Sequence, residues 1–210
     1  NATPSKAGKA GGTLAAGASA TVTVSPNAAA AALAEGSHQA TVNVTNETHG
    51  GTTTRAVYLR IRGVVCVDIA ATGANDGTSW PDAFTSIQEA VYTAAPSGRW
   101  VWVAEGVYTE PIVMASGVEL YGGFRAGDAG MADRDPDGKP TILDGGNAFG
   151  IVTFESTTYA GIDGFIIRNG SSPSTGGGIS CRAVDATNFI RRCVVRENKA
   201  IGRGSGIYLG

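Results

Sequence analysis

Histidine, cysteine and aromatic residues are all scarce in this 210-residue chain, and each scarcity removes a class of chemistry. The only histidines, His38 and His49, are eleven residues apart, and neither neighbours a cysteine or carboxylate in a spacing that suits a metal set. No Gly-x-Ser-x-Gly elbow and no Ser/His/Asp order is present, so serine-triad acyl transfer has no candidate. Three cysteines, Cys66, Cys181 and Cys193, are too few to build a disulfide scaffold. Charge of one sign is also lacking: the net formal charge of −2 provides no bulk basic field, so nucleic acid is not expected as a partner. The local cluster Arg191, Arg192, Arg196 and Arg203 reads as solvated outward positions. No apolar run approaches membrane-spanning length, and residues 1–12 lack the apolar core of a signal peptide.

Glycine, by contrast, is abundant. The 31 glycines follow no three-residue period, which excludes a collagen-like chain and points to frequent turns between short strands. Near the end of the chain two segments recur at one spacing. Gly177-Gly178-Ile179 returns 28 residues later as Ser205-Gly206-Ile207, and Gly164-Phe165-Ile166-Ile167-Arg168 returns at the same offset as Arg192-Cys193-Val194-Val195-Arg196. A fixed period carried by β-branched runs and glycine turns marks a solenoid, each repeat stacking on the last.

Composition shifts near residue 63. Residues 1–63 are rich in Thr, Ala and Val, and Thr21 to Val24, Ala40 to Val44 and Ala56 to Ile61 alternate as half-buried antiparallel strands do. Residues 46–54 read as a hairpin turn, and Asn27 to Leu33 as one or two helical turns capped by Asn27. Three or four strands are expected here, fewer than the roughly seven of a free-standing sandwich. In residues 64–210, Ser86-Ile87-Gln88-Glu89 fits a capping box, and Ile87, Ala90 and Val91 form the apolar face of a single helix over 86–95 that ends before Pro96. Short strands follow at Trp100 to Ala104, Ile112-Val113, Val118 to Tyr121, Thr141 to Leu143, Ile151 to Phe154, Phe165 to Ile167, Ile179 to Cys181 and Phe189 to Val195. No helical pattern interrupts them, which excludes an alternating helix–strand fold.

The blocks Gly73 to Ala90, Val101 to Tyr108, Ser116 to Phe124 and Arg134 to Leu143 resemble the opening of a bacterial secreted right-handed parallel β-helix family. The later Gly-Gly-Gly-Ile step and the apolar-x-x-Asn steps Ile166 to Asn169 and Val195 to Asn198 resemble polymorphic outer-membrane-protein repeats and the wider pectate-lyase-like superfamily. Gly12 to Val24 resembles the start of a small Ig-like module. The resemblance implies an all-β chain: a partial Ig-like β-sandwich over 1–63, then a right-handed parallel β-helix over 64–210 whose N-terminal end is capped by helix 86–95. Such a cap would hide the apolar cross-section and strand edges at that end.

The richest cluster of ligand atoms is acidic. Asp133-Arg134-Asp135-Pro136-Asp137-Gly138 fits Asp-x-Asp-x-Asp-Gly, with Asp144 at the twelfth position, so Asp133, Asp135, Asp137 and Asp144 are candidate calcium ligands; the alternative is a solvated acidic loop. Asp144, Asp163, Arg168 and Arg196 are candidates for a charged face of the kind that polysaccharide-cleaving enzymes use, set against the outward charges any strand carries. Asn169 and Asn198 read as equivalent turn residues, each bonding the neighbouring coil's backbone. Cys181 and Cys193 both read as inward, giving either free buried thiols or, in a secreted protein, a cross-coil disulfide.

The expected function is a secreted or cell-surface structural or adhesin-type protein. The alternatives are a carbohydrate-active enzyme and a non-catalytic glycan-binding module. Both ends read as cut from something longer, which predicts self-assembly by strand addition or by end-to-end stacking, with glycan as the other candidate partner.

Overall fold

The computed structural model describes residues 12–19, 21, 23–26, 30, 33–46 and 48–210. The chain divides into two compact units, Asn1–Ile61 and Arg62–Gly210. Among the described residues the strands are numerous and the α-helix single, an all-β composition, and no helix is long and apolar enough to cross a membrane.

In the first unit, β1 (Gly36–Thr45) and β2 (Thr52–Ile61) form an antiparallel hairpin whose register opposes Thr45 to Thr52 and Gly36 to Ile61. One face presents His38, Ala40 and Val42 opposite Leu59, Val57 and Arg55; the other presents Gln39, Thr41 and Asn43 opposite Tyr58, Ala56 and Thr54. Asn46 shapes the turn, its Oδ1 accepting from the amides of Thr48 (3.0 Å) and His49 (3.1 Å). Among the described residues of this unit two strands thus stand where three or four were expected. Of the remaining expected elements, Val22, Asn27 to Ala29, Ala31 and Ala32 lie outside the described residues, and Thr21, Thr23 and Val24 take no part in a strand.

The second unit contains β3 (Val64–Val67), α1 (Ile87–Ala94), β4 (Trp100–Ala104), β5 (Gly106–Tyr108), β6 (Ile112–Val113), β7 (Glu119–Phe124), β8 (Thr141–Asp144), β9 (Val152–Glu155), β10 (Gly161–Asp163), β11 (Phe165–Arg168), β12 (Ser171–Ser172), β13 (Ile179–Arg182), β14 (Phe189–Arg191), β15 (Val194–Arg196), β16 (Lys199–Ala200) and β17 (Ile207–Leu209). These pair in parallel. Sheet I has the order β14-β10-β7-β4-β3, sheet II β15-β11-β8-β5, and sheet III β17-β13-β9-β6; β12 and β16 pair separately. After β3 the chain visits sheets I, II and III in that order on each of four passes.

Inward positions of sheet I (Val65, Val101, Leu120, Ile162) meet those of sheet II (Leu143, Phe165, Ile167) and sheet III (Val152, Phe154, Ile179) in one apolar core. The last two passes pair at an offset of 28 residues in every sheet, as Ile162 with Ile190, Ile166 with Val194 and Ile179 with Ile207. Earlier offsets differ: Ile162 pairs with Leu120, Phe165 with Thr141 and Ile179 with Val152. The predicted strand from Phe189 to Val195 is in fact two, broken where Arg192 turns the chain with φ 46°.

Helix α1 closes one end of this core with Ile87, Ala90, Val91 and Ala94, all buried. Ser86 is its N-cap, Oγ accepting from the Glu89 amide at 3.3 Å. The return arm of the expected capping box comes from elsewhere. Glu110, not Glu89, supplies the carboxylate, accepting from the amides of Ile87 (2.7 Å) and Gln88 (3.2 Å) and from Ser86 Oγ (2.7 Å). The helix stops at Ala95-Pro96, and Gly98 takes the left-handed turn with φ 59°. Ile87→Asp should therefore destabilise the unit by about 2–4 kcal/mol in chemical denaturation, since it sets an unpaired charge into the core; a loss under about 0.5 kcal/mol would place that face in solvent.

Candidate functional site

The register of sheet I lays two rows of side chains on its outer face. One row runs Cys66, Trp102, Tyr121, Asp163, Arg191; the other runs Trp100, Glu119, Gly161, Phe189. The rings form contacts across strands. Trp102 stacks on Phe124 with centroids 4.7 Å apart, Trp80 leans on the same Phe124 at 6.0 Å, and Trp100 meets Tyr121 edge-on at 5.8 Å. Phe189 lies flat over Gly161, where a Cβ would sit 2.3 Å from its ring, and Arg191 stacks on Phe189 at 4.4 Å. Below them Arg62 donates to Glu119 (2.5 Å), and the Tyr121 hydroxyl donates to the same carboxylate (2.5 Å).

Asp163 is the centre of this face. Its side chain is 4% exposed and accepts from Arg134 Nη2 (2.7 Å) and from Arg192 Nε (2.8 Å) and Nη2 (3.0 Å). Arg134 is equally buried, 3% exposed, and also donates to the carbonyls of Asp163 and Gly122. Burial by itself raises a carboxyl's pKa; here the hydrogen bonds and charges of Arg192 and Arg134 outweigh it and hold Asp163 below the ordinary aspartate value. The approach of Arg134 depends on glycine. A Cβ on Gly164 would lie 2.0 Å from Arg134 Nη2, and one on Gly123 would lie 2.7 Å from Pro136; both residues have positive φ, 79° and 88°. Gly123 and Gly164 thus floor a slot that receives Arg134 and Pro136.

The four predicted calcium ligands are not brought together. Asp133 accepts from the amides of Ala129 (2.9 Å) and Gly130 (3.0 Å), Asp135 accepts from the Gly138 amide (3.0 Å), Asp137 is exposed, and Asp144 sits on β8 with Arg168. The cation in this loop is the chain's own: Lys139 Nζ donates to Asp128 at 2.8 and 3.0 Å and to the Asp133 carbonyl at 2.6 Å. Three or more His, Cys, Asp or Glu side chains in a metal-holding group do not occur among the described residues. The spacing matched the cation loop, but each acid is spent on a different partner: Asp133 and Asp135 on turn amides and Asp144 on Arg168.

Asp144, Arg168 and Arg196 do share a row, on the outside of sheet II, whereas Asp163 lies on sheet I. Asp144 accepts from the Gly146 amide (3.0 Å), Asn169 Nδ2 (3.1 Å) and Arg168 Nε (2.8 Å), and these bonds keep its pKa below the usual range despite partial desolvation. Asn169 and Asn198 are not equivalent. Asn198 Oδ1 accepts from the Gly170 amide (2.7 Å) and its Nδ2 donates to the Ile167 carbonyl (3.0 Å), whereas Asn169, at φ 55°, turns to Asp144. The expected disulfide is also absent: Cys66, Cys181 and Cys193 are all free. Cys181 is inside sheet III beside Phe154, and Cys193 is at the corner between sheets I and II with its Sγ toward the carbonyls of Ile162 and Arg191, so the two thiols face different walls of the core. Burial pushes all three thiols upward, Cys66 to about 11.

Sequence reasoning passed over Arg134, Arg192, Glu119 and Lys139 as site residues. Their ion-pair partners lie between 11 and 57 residues away, and the short strand β10 that carries Asp163 contains two residues besides Gly161, too few for a periodic signal. No known protein family, curated protein or solved structure matches the chain.

Arg134→Met should cost about 3 kcal/mol in urea unfolding, because it leaves a buried carboxylate with a single, largely exposed partner; a cost near zero would mean Asp163 is compensated by Arg192 alone. Lys139→Met should lower the melting temperature while a chelator leaves the parent protein's unchanged, and a fall on chelation would reinstate a bound cation. Alkylation of the denatured, unreduced protein should label all three cysteines.

Proposed function

We propose that residues 62–210 form a right-handed parallel β-helix, capped by α1, in a secreted or cell-surface bacterial protein with a structural or adhesive, non-catalytic role. The repeated visit to sheets I, II and III, with a 28-residue offset common to all three in the last passes, supports the β-helix reading. The motifs shared with the secreted β-helix family find structural employment here: Arg134 and Pro136 fill the slot floored by Gly123 and Gly164, and Ser86 caps the helix.

The observation that carries the non-catalytic reading is the state of Asp163 and Asp144. General acid chemistry needs a carboxyl whose pKa is raised. Both are held low and tied to arginine, so neither is suited to donate a proton as a general acid near neutral pH. A second reading, glycan binding without turnover, is favoured by Trp100, an indole on the outer face of sheet I whose aromatic neighbour Tyr121 meets it edge-on. Calcium remains a proposal only as an external ligand, and self-assembly as a property of longer or clustered chains.

A depolymerisation screen over acidic and neutral polysaccharides, with and without calcium, should give no turnover, and any reproducible cleavage would overturn the reading. A glycan array then separates the two non-catalytic roles: binding abolished by Trp100→Ala selects the glycan-binding one.

A further inference from the structure

Residues 125–139 lie across sheet I as a strap. Arg125 Nε reaches Glu105 at 2.5 Å, Lys139 closes the strap on itself through Asp128 at 2.8 Å, and Arg134 enters the slot to Asp163 at 2.7 Å. The neutral anchors are three: the Asp135 amide donates to the Gly123 carbonyl (2.8 Å), Trp80 Nε1 donates to the Asp128 carbonyl (2.8 Å), and Pro136 rests on Gly123 and Gly164. Beneath and beside the strap is the Trp80–Phe124–Trp102 stack.

We propose that the strap is an acid-released cover: protonation of Asp163, Asp128 and Glu105 lifts residues 125–139 off sheet I while the stacked passes stay folded. The asymmetry of the Asp163 cluster decides which side moves. Arg192 is 62% exposed and keeps its hydration when Asp163 becomes neutral. Arg134 is 3% exposed; with Asp163 neutral its charge keeps only the carbonyls of Asp163 and Gly122 and the face of the Tyr121 ring, too little to offset its lost hydration, so it moves to water and takes the strap with it. The groups facing each carboxylate are all accounted for. Asp163 meets Arg134 from the strap, Arg192 from the turn after β14, Arg191 beside it in register on β14, the Tyr121 hydroxyl from β7 and the Cys193 thiol; Asp128 meets Lys139 and Arg125; Glu105 meets Arg125, with Lys139 and Asp128 further off.

All three carboxyls sit below their ordinary values. For a group lowered in the folded state, the stabilisation is complete above the ordinary carboxyl pKa, about 4, and is lost as pH falls through the lowered one. Release therefore comes below about pH 4. The passes are held by backbone ladders and an apolar core that do not titrate in that range; the Asp144–Arg168 pair between β8 and β11 does titrate there, but it adds to those ladders rather than replacing them.

Site-resolved hydrogen exchange, expressed as protection factors from about pH 7 down to about pH 2.5, tests this directly. The amide of Asp135, which bonds the Gly123 carbonyl on sheet I, should lose at least about tenfold protection at a pH where those of Leu120 and Ile162 lose none, with a matching change in tryptophan emission. Asp163→Asn should bring the same strap-only loss at neutral pH. If that variant fails to fold, the Glu105→Gln/Asp128→Asn pair should shift the release upward in pH. Simultaneous loss of strap and ladder protection, a strap protected throughout, or variants that leave its pH of release unmoved would each overturn the proposal.

Discussion

A carboxylate sealed beneath two guanidiniums constrains most of the outer face of sheet I. An aspartate that is 4% exposed on a strand is untenable alone. Its compensation requires Arg134 to arrive from a segment 29 residues earlier, which requires the strap to cross the sheet, which in turn requires Gly123 and Gly164 where any side chain would obstruct it. The pairing is a conditional stabiliser. Replacing the cluster by apolar residues of matched shape could leave stability intact, but removing one member cannot. What the charges add is register: only one placement of the strap puts Arg134 Nη2 against both the side chain and the carbonyl of Asp163.

The α1 end solves a different problem with the same economy. Three parallel sheets end there, each with strand edges that would otherwise recruit another chain. Residues 77–84 bond to β3, the Gly77 carbonyl accepting from Cys66 and the Phe84 amide donating back to it. The carboxamide of Gln88 stands in for a strand beside β6, accepting from the Val113 amide at 2.6 Å and donating to its carbonyl at 3.3 Å. Tyr108, pinned between the Ile69 amide and the Ala104 carbonyl, fills the corner at β5. Apolar closure by Ile87 and Val91 and polar closure by Gln88 therefore come from one helix, with Glu110 fixing its start.

How much of this was legible depended on whether a signal was local. The 28-residue repeat could be read because the last two passes have turns of equal length, and the helix could be read because Ser86, Ile87 and Val91 sit within one window. The strands β5 and β10 were missed because each has three residues with a glycine at the start, which leaves no alternation to detect. Glu110 took the capping role assigned to Glu89 because a strand connection brought it over the helix terminus, a fact of tertiary structure. The calcium pattern misled for a related reason: spacing along the chain guarantees convergence only when the loop curls on itself, and here Lys139 curls it by neutralising Asp128, leaving the spaced acids to cap turns.

The irregular passes are also the eventful ones. Between β3 and β4 the chain inserts the cap, and between β7 and β8 it inserts the strap, so the offsets between neighbouring strands there depart from 28 residues. A regular pass can only stack, since its turns are as short as the sheets allow and its side chains are spent on the core and on ladder contacts such as Asn198 to Gly170. An inserted segment is free to carry a charge inward, to cover an aromatic stack or to seal an edge. The insertions thus carry the second unit's specialised features, the α1 cap and the strap that brings Arg134 to Asp163, while the last two passes repeat at a fixed 28-residue offset.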